Sequence, residues 1–149
     1  METMHAVIFI GIQASGKSTF FHDRFARTHI RVNLDMLRTR HREKKLIETC
    51  LDIQQPFVID NTNPTKEDRL RYIPLIKASS VPVAGYYFQS QIGECLARNN
   101  TRHEQDRIDQ RGVLATHAKL ELPSYDEGFD TLFYVKMVEN GFSVEEWQR

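Results

Sequence analysis

The sequence predicts an α/β fold in which a mainly parallel, five-stranded sheet is flanked by helices. Short apolar runs that are typical of buried strands alternate with segments whose apolar residues recur at helical spacing. The chain has 149 residues, of which 40% are apolar and 27% charged, and this length is enough to bury one hydrophobic core. Since no repeat, low-complexity tract or linker divides the sequence, we expect one domain over residues 1–149.

Each strand is predicted from a short apolar run, and each helix from a longer periodic segment. The strands are expected at residues 5–10, 30–33, 57–59, 81–88 and 131–135. Residues 6–10 are all apolar, which is the pattern of a central strand buried on both faces. The helices are expected at residues 17 to about 28, 35 to about 54, 65 onward, 91–102 and 114–120. We expect Pro74 to kink or limit the helix that Thr65 caps.

Composition and cysteine content exclude several classes of protein. No apolar run approaches the roughly 20 residues that span a membrane, and the N-terminus lacks the pattern of a signal peptide. Cys50 and Cys95 are too few for a disulfide framework or a four-ligand zinc site. We therefore expect a cytoplasmic protein with no membrane partner, in which both thiols are reduced.

The formal net charge of zero hides an uneven distribution along the chain. Residues 24–45 contain eight Lys or Arg residues and two acids, Asp35 and Glu43, whereas residues 121–149 are acidic. A basic segment on a neutral protein favours a local anionic ligand, although a solvated helix face has the same pattern. The acidic residues 144–147 are interpreted as a solvated tail that is anchored by its tryptophan.

The run Gly-Ile-Gln-Ala-Ser-Gly-Lys-Ser at residues 11–18 joins the first predicted strand to the first helix. This pattern is a phosphate-binding loop, whose backbone N–H groups and helix N-terminus surround the phosphates of a nucleotide. We expect Lys17 to reach the β- and γ-phosphates and Ser18 to bind Mg²⁺, so ATP and Mg²⁺ are the predicted cofactors. The predicted nucleotide contacts in the loop are Gly11, Ala14, Ser15, Gly16, Lys17, Ser18 and Thr19.

Asp35 and Arg38 follow the second strand and, three residues apart at the start of a helix, share one face. A carboxylate there can take the proton of an attacking hydroxyl, and an arginine can bind the transferring phosphoryl group. A helix cap with an ion pair has the same spacing, but the place one strand beyond a phosphate loop favours catalysis. The sequence also lacks the Asn-Lys-x-Asp motif of GTPases, which favours transfer to a second substrate.

Further candidate residues follow the third and fourth strands. Asp60 ends the third strand, where an acid commonly holds Mg²⁺ directly or through water, although it could equally stabilise a tight turn. Arg98 and Arg102 are predicted to close over ATP and to neutralise the charge that develops during transfer. For Arg107 and Arg111 a solvated helix end is the simpler interpretation.

With these segments in this order, the sequence resembles the polynucleotide 5′-hydroxyl kinases, specifically the kinase module of polynucleotide kinase-phosphatases in the P-loop NTPase superfamily. The resemblance covers roughly residues 7–142 and rests on the segments 11–18, 32–38, 59–64, 69–72, 98–102 and 123–129. Residues 107–113 depart from the turn that is frequent in the lid of the family. No Asp-x-Asp phosphatase motif is present.

The resemblance implies a P-loop kinase sandwich that transfers the γ-phosphate of ATP to a 5′-hydroxyl end of RNA or DNA. It implies Asp35 as general base, Arg38 on the transferring phosphate and the acceptor, and Lys17 on the donor phosphates. It also implies that Arg102, with Arg98, belongs to a lid over the nucleotide. Two alternatives remain: a kinase for a small metabolite or nucleoside, and a non-catalytic binding module that depends on a nucleotide.

Overall fold

The computed structural model of the chain describes residues 3–148. Its strands are β1 (Ala6–Ile10), β2 (Ile30–Val32), β3 (Phe57–Ile59), β4 (Val83–Phe88), β5 (Thr131–Val138) and β6 (Gly141–Glu146). They form one sheet in the order β2-β3-β1-β4-β5-β6, in which all neighbours are parallel except the antiparallel pair β5–β6. The predicted α/β class with a mainly parallel sheet is therefore confirmed, with six strands in place of five.

The sixth strand corrects the interpretation of the C-terminal residues as a solvated tail. Residues 141–146 pair with β5, for example Ser143 with Lys136. Trp147 does act as an anchor, because its ring centroid lies 5.5 Å from that of Tyr87. The dipeptide Asn140-Gly141 favours tight hairpin turns and could have predicted the hairpin from the sequence. In the structure Asn140 has the positive φ of such a turn, 65°.

The helices are α1 (Lys17–Arg24), α2 (Leu34–Leu37), α3 (Arg40–Ile53), α4 (Lys66–Leu70), α5 (Ile73–Ala78), α6 (Ile92–Asn100) and α7 (Gln110–Lys119). The single helix predicted from residue 35 to about 54 is two helices. Arg38 separates them, because its φ of 77° lies outside the helical region. Pro74 lies in the first turn of α5, where proline is tolerated, so the expected limit on that helix is confirmed. Within residues 3–148, no helix has the length and hydropathy to cross a membrane.

The two faces of the sheet bury separate apolar clusters. Ile8 and Ile10 pack with residues of α3 and α5 on one face. Phe9 packs with Phe20 and Phe21 of α1 on the other. This separation follows from the period of two in strands, which sends successive side chains to opposite faces. Because helices cover both faces, the carboxyl edge of the parallel strands is left to carry loops, and the candidate residues lie there.

Candidate functional site

The phosphate-binding loop turns sharply between β1 and α1. Gly16 has a φ of 102° and Ala14 a φ of 63°, and such positive values help backbone N–H groups to converge on an anion. A β-carbon on Gly11 would lie 2.8 Å from the Ser15 hydroxyl oxygen and 3.0 Å from the β-carbon of Phe88, so a larger residue would have to displace these neighbours. Gly11 and Gly16 therefore meet a requirement of the loop backbone for residues without a β-carbon.

Side chains from distant segments hold the loop in this shape. The Ser90 hydroxyl accepts a hydrogen bond of 3.1 Å from the backbone N–H of Ile12. The guanidinium of Arg98 donates from Nε to the carbonyl oxygen of Ala14 at 2.6 Å. Arg98 was predicted to contact the nucleotide itself. In the structure Arg98 instead bonds to the backbone of the loop, so it stabilises the conformation of the phosphate-binding loop.

Lys17 is buried at the centre of the loop. Its ammonium group donates to the carbonyl oxygens of Gly11 and Ile12, at 2.8 and 2.7 Å. Burial lowers the pKa of Lys17 to about 8, even though the carboxylate of Asp60 acts in the opposite direction. The ammonium group also donates to the Ser15 hydroxyl oxygen at 3.4 Å, so all its hydrogen-bond partners are uncharged, and a buried cation in such surroundings is poised to gain an anionic partner. The phosphate groups of a nucleotide would supply that partner.

A cavity of about 880 Å³ opens in front of the loop, at the carboxyl ends of β1, β2 and β3. The predicted site residues that line it are Ala14, Lys17, Ser18, Thr19, Asp35, Asp60 and Arg102. Of the predicted site residues, which all lie in the described part of the chain, the lining does not include Gly11, Ser15, Gly16, Arg38 and Arg98. The lining also includes cationic side chains to which the sequence assigned no role: Arg31, Arg40 and Lys119.

Asp35 sits on α2, a one-turn helix whose position depends on two asparagines. The Asn33 side chain caps α2 by accepting a hydrogen bond from the Met36 N–H at 3.0 Å, and it donates to the Asp60 carbonyl oxygen at 2.7 Å. The side-chain oxygen of Asn61 accepts from the backbone N–H of residue 34 at 2.9 Å. The loop after β2 is therefore tied to the loop after β3, and Asp35 is placed by both.

A buried carboxylate supports this arrangement from below. Glu43 is 1% exposed and accepts hydrogen bonds from Arg40, Asn61 and Tyr72, at 2.9, 3.0 and 3.0 Å. Burial, with the negative charge of Glu43 adding to it, raises the pKa of Tyr72, so its hydroxyl stays a donor at neutral pH. The network fixes the guanidinium of Arg40 at the edge of the cavity that also contains Asp35.

Arg40, and not the predicted Arg38, lines the cavity beside α2. The sequence singled out Arg38, because it lies three residues from Asp35 on a predicted continuous helix. The break at φ 77° removes that shared face, and the cavity is lined by Arg40 instead. The signal that could have found Arg40 is Thr39, which caps α3 and marks the start of a new helix at the next residue.

The two predicted metal ligands, Ser18 and Asp60, lie close enough for one side chain to bridge them. Arg31 donates from Nη2 to the Ser18 hydroxyl oxygen at 3.0 Å and from Nε to Asp60 Oδ2 at 2.8 Å. Residues 3–148 contain no group of three or more His, Cys, Asp or Glu side chains that could hold a metal. The hydroxyl and the carboxylate nevertheless fit Mg²⁺, which takes oxygen ligands and usually relies on phosphate oxygens and waters for the rest.

Arg102 lies in the loop between α6 and α7 and lines the cavity. Its positive charge contributes to lowering the pKa of Lys17, so the two cations act on the same space. Asn99 pins the loop, because its side chain both donates to and accepts from the backbone of Ile108, at 2.6 and 3.0 Å. The position of Arg102 is therefore set by a buried amide, whereas Arg111 is 92% exposed at its side chain.

The sheet order, the loop after β1 and the helices on both faces define a P-loop kinase fold. The chain belongs to the AAA domain family, which matches residues 38–123. The fold and its loop imply nucleotide binding and indicate phosphotransferase activity.

Among characterised proteins, the chain is similar to the bifunctional polynucleotide phosphatase/kinase of Schizosaccharomyces pombe. The two are 31% identical over 134 residues, which are 86% of this chain and 32% of that protein. The chain therefore spans about a third of the length of this relative.

Solved structures share the fold at low sequence identity. Kti12 of Chaetomium thermophilum, in complex with ADP-AlF3, superposes with a TM-score of 0.63 at 13% identity over 88% of each chain. A gluconokinase from Sinorhizobium meliloti gives a TM-score of 0.58 at 14% identity, over 91% of this chain and 84% of that one. A sugar kinase from a Janibacter species gives 0.64 at 15% identity, over 89% and 86%. These likenesses concern the fold alone.

Proposed function

We propose that the protein is an ATP- and Mg²⁺-dependent polynucleotide 5′-hydroxyl kinase. The observation that carries this proposal is that Asp35 lines the same cavity as Lys17 and Ser18. A candidate general base thus faces the space in front of a phosphate-binding loop, as transfer to a hydroxyl requires. A nucleotide switch without an acceptor would have no need of this carboxylate.

The polynucleotide acceptor is supported by two further observations. The Schizosaccharomyces pombe relative, 31% identical over 86% of this chain, is a polynucleotide phosphatase/kinase. On the acceptor side, Arg40 lines the same cavity as Asp35, and the exposed residues Arg42 and Lys44 follow it on α3. Phosphate groups are the part of a nucleic acid that Arg and Lys bind irrespective of base sequence.

In the proposed reaction, Lys17 and the loop N–H groups bind the β- and γ-phosphates of ATP. Asp35 accepts the proton of the 5′-hydroxyl group. At the same time the hydroxyl oxygen forms a bond to the γ-phosphorus, and the bond between that phosphorus and the bridging oxygen of ADP breaks. Arg102 stabilises the negative charge on the oxygens of the group in transit. Mg²⁺, held by Ser18 and Asp60 with the phosphates, would supply further positive charge for the leaving diphosphate.

The decisive experiment is transfer of labelled γ-phosphate from ATP to oligonucleotides with a 5′-hydroxyl, RNA and DNA in parallel. Identical oligonucleotides with a 5′-phosphate are the matched acceptors that should remain unlabelled. Gluconate, other small polyols and free nucleosides are tested beside them. Label only in a small compound would support the metabolite kinase and overturn the polynucleotide proposal. ATP binding without label in any acceptor would support the non-catalytic module.

A further inference from the structure

Arg31 is held between the two side chains that are the candidate ligands of Mg²⁺. Its guanidinium contacts Ser18 Oγ at 3.0 Å and Asp60 Oδ2 at 2.8 Å, through two different nitrogens. The same group lies 6.0 Å from the centroid of the Phe21 ring. One cationic side chain therefore bridges both protein oxygens that the nucleotide-bound metal would need.

The backbone register of the sheet places Arg31 there. Val32 packs into the core on one face, so the neighbouring Arg31 points to the opposite face, which α1 covers. Arg31 is paired with Val58 of β3, and Asp60 follows two residues later, beyond the end of that strand. The Asp60 N–H donates to the Val32 carbonyl oxygen at 2.8 Å, which keeps β2 and the start of the next loop together. The pairing of β2 with β3 thus brings Arg31 and Asp60 together.

Asp60 needs a cation in this position. Its side chain is 2% exposed, and a buried carboxylate is costly unless a positive group or several hydrogen bonds satisfy it. Arg31 meets this need directly, with a side chain that is 27% exposed and so has room to leave. A metal ion would meet the same need through the same oxygen lone pairs.

We propose that Arg31 and Mg²⁺ compete for Ser18 and Asp60. A guanidinium donates hydrogen bonds to oxygen lone pairs, and a metal ion takes those lone pairs as ligands, so one oxygen cannot serve both fully. Two cations that share the same oxygen ligands would also repel each other. The protein without nucleotide therefore holds Arg31 in the metal position and binds metal weakly. Metal enters with the triphosphate, whose oxygens give Arg31 a new anionic partner.

The inference rests on the proposed function only for the identity of the metal. It is tested on the full chain without nucleotide, with Mn²⁺ as a paramagnetic substitute that shares the preference of Mg²⁺ for oxygen ligands. The affinity for Mn²⁺ is measured by the loss of the free-ion signal in electron paramagnetic resonance. Arg31→Gln should bind Mn²⁺ more tightly than the unmodified chain, by on the order of tenfold, as expected for relief of one close charge contact.

Two controls separate competition from a general change in charge. Arg27→Gln removes one positive charge at an exposed position near α1, and it should leave the Mn²⁺ affinity almost unchanged. Arg31→Lys keeps the charge but cannot donate from two separate nitrogens to Ser18 and Asp60 as arginine does. Its affinity for Mn²⁺ should therefore lie between those of the unmodified chain and Arg31→Gln. If Arg31→Gln fails to fold, as thermal unfolding would reveal, Arg31→Lys carries the test alone.

The outcomes that contradict the proposal are equally specific. An unchanged or weaker Mn²⁺ affinity in Arg31→Gln would mean that Arg31 is a bystander or helps to orient the ligands. In the double variant with Asp60→Asn the gain should vanish, and a gain that persists would place the metal elsewhere. These measurements involve no acceptor, so they stand whether or not oligonucleotides are phosphorylated.

Discussion

The donor and acceptor sides of the cavity are built in different ways. On the donor side, residues 11–18 are contiguous, and their shape follows from glycine geometry and from a helix that starts at the end of the loop, with Ser90 and Arg98 bonded to the loop backbone from outside. On the acceptor side, Asp35 is placed by Asn61, which is held in turn by Glu43. The comparison shows that the contacts of one contiguous loop can be recognised as a short motif, whereas a network of side chains from distant segments cannot.

Substitution of Asp35 should break the acceptor side and leave the donor side intact. Asp35→Asn keeps the shape of the side chain but removes its ability to accept a proton. We expect phosphate transfer to fall by about 10²- to 10⁴-fold, the usual contribution of a general base, with nearly unchanged ATP affinity. Single-turnover transfer and ATP titration measure the two quantities. A parallel collapse of ATP binding would show that the two sides are not separable.

Glu43 offers a way to loosen the acceptor side from a distance. In Glu43→Gln, one carboxylate oxygen becomes an amide NH2 group, which donates hydrogen bonds and cannot accept them. Asn61 and Tyr72 both donate to the carboxylate, so one of these donors would lose its acceptor. We expect the free energy of unfolding to fall by about 1–3 kcal/mol, the cost of a buried polar group without a partner. Acceptor binding should weaken while ADP affinity stays the same. Chemical denaturation and ADP titration provide the measurements.

The matched control for that variant is Glu48→Gln on the same helix. Glu48 forms an exposed ion pair of 3.7 Å with Lys45, and such pairs contribute about 0–1 kcal/mol. Equal losses of stability in the two variants would contradict the role assigned to the buried network.

The donor side should be sensitive to a single methyl group at Gly16. A β-carbon there would lie 3.0 Å from the ring of Phe142, and the φ of 102° disfavours any L side chain. Gly16→Ala should therefore cost about 1–2 kcal/mol and weaken ADP binding by on the order of tenfold. In contrast, Gly93→Ala meets no atom within 4 Å and, inside α6, should add about 0.5–1 kcal/mol of stability. Unfolding and ADP titration of both variants check this difference.

The smallest predicted effect is a pH dependence that belongs to the donor side alone. The pKa of Lys17 is lowered to about 8 in the free protein, so its ammonium group is protonated below pH 8 and becomes neutral above it. Phosphate binding requires the charged form, and nucleotide affinity should therefore fall above pH 8, by at most about tenfold per pH unit. Lys17→Arg stays charged and should show a flat profile. Equal profiles for both proteins would contradict this account.

Much of the fold could be predicted from the sequence, because buried parallel strands are short apolar runs and the loop motif identifies the first of them. The sixth strand could not be recognised in this way, since β6 has no fully buried residue and so lacks the apolar run of an inner strand. The break at Arg38 was also missed, because a positive φ in a residue other than glycine leaves no mark in the composition, although the cap at Thr39 signals the helix that follows it.

The candidate site was predictable in part for the same physical reason. Lys17, Asp35 and Asp60 all line the cavity, because each follows a strand whose carboxyl end reaches the same edge of the sheet. Arg31 could not be found, since its position depends on strand register. For Arg40 the sequence offers only the cap at Thr39, since its place on the cavity wall depends on Glu43, whose other partners Asn61 and Tyr72 are distant in sequence. The roles of these residues in catalysis stay predictions that the experiments above address.

The contact of the β5–β6 hairpin with the phosphate-binding loop also sets an order of events during synthesis. Phe142 lies against Gly16 and packs at 5.1 Å on the Phe20 ring of α1, although it is far from both residues in the sequence. At about 5–20 residues per second, translation separates these residues by roughly 6–25 s. The nascent loop therefore waits for the β5–β6 hairpin before its surroundings close. A ribosome that stalls before residue 141 would leave a chain that contains the whole motif yet lacks one wall of it.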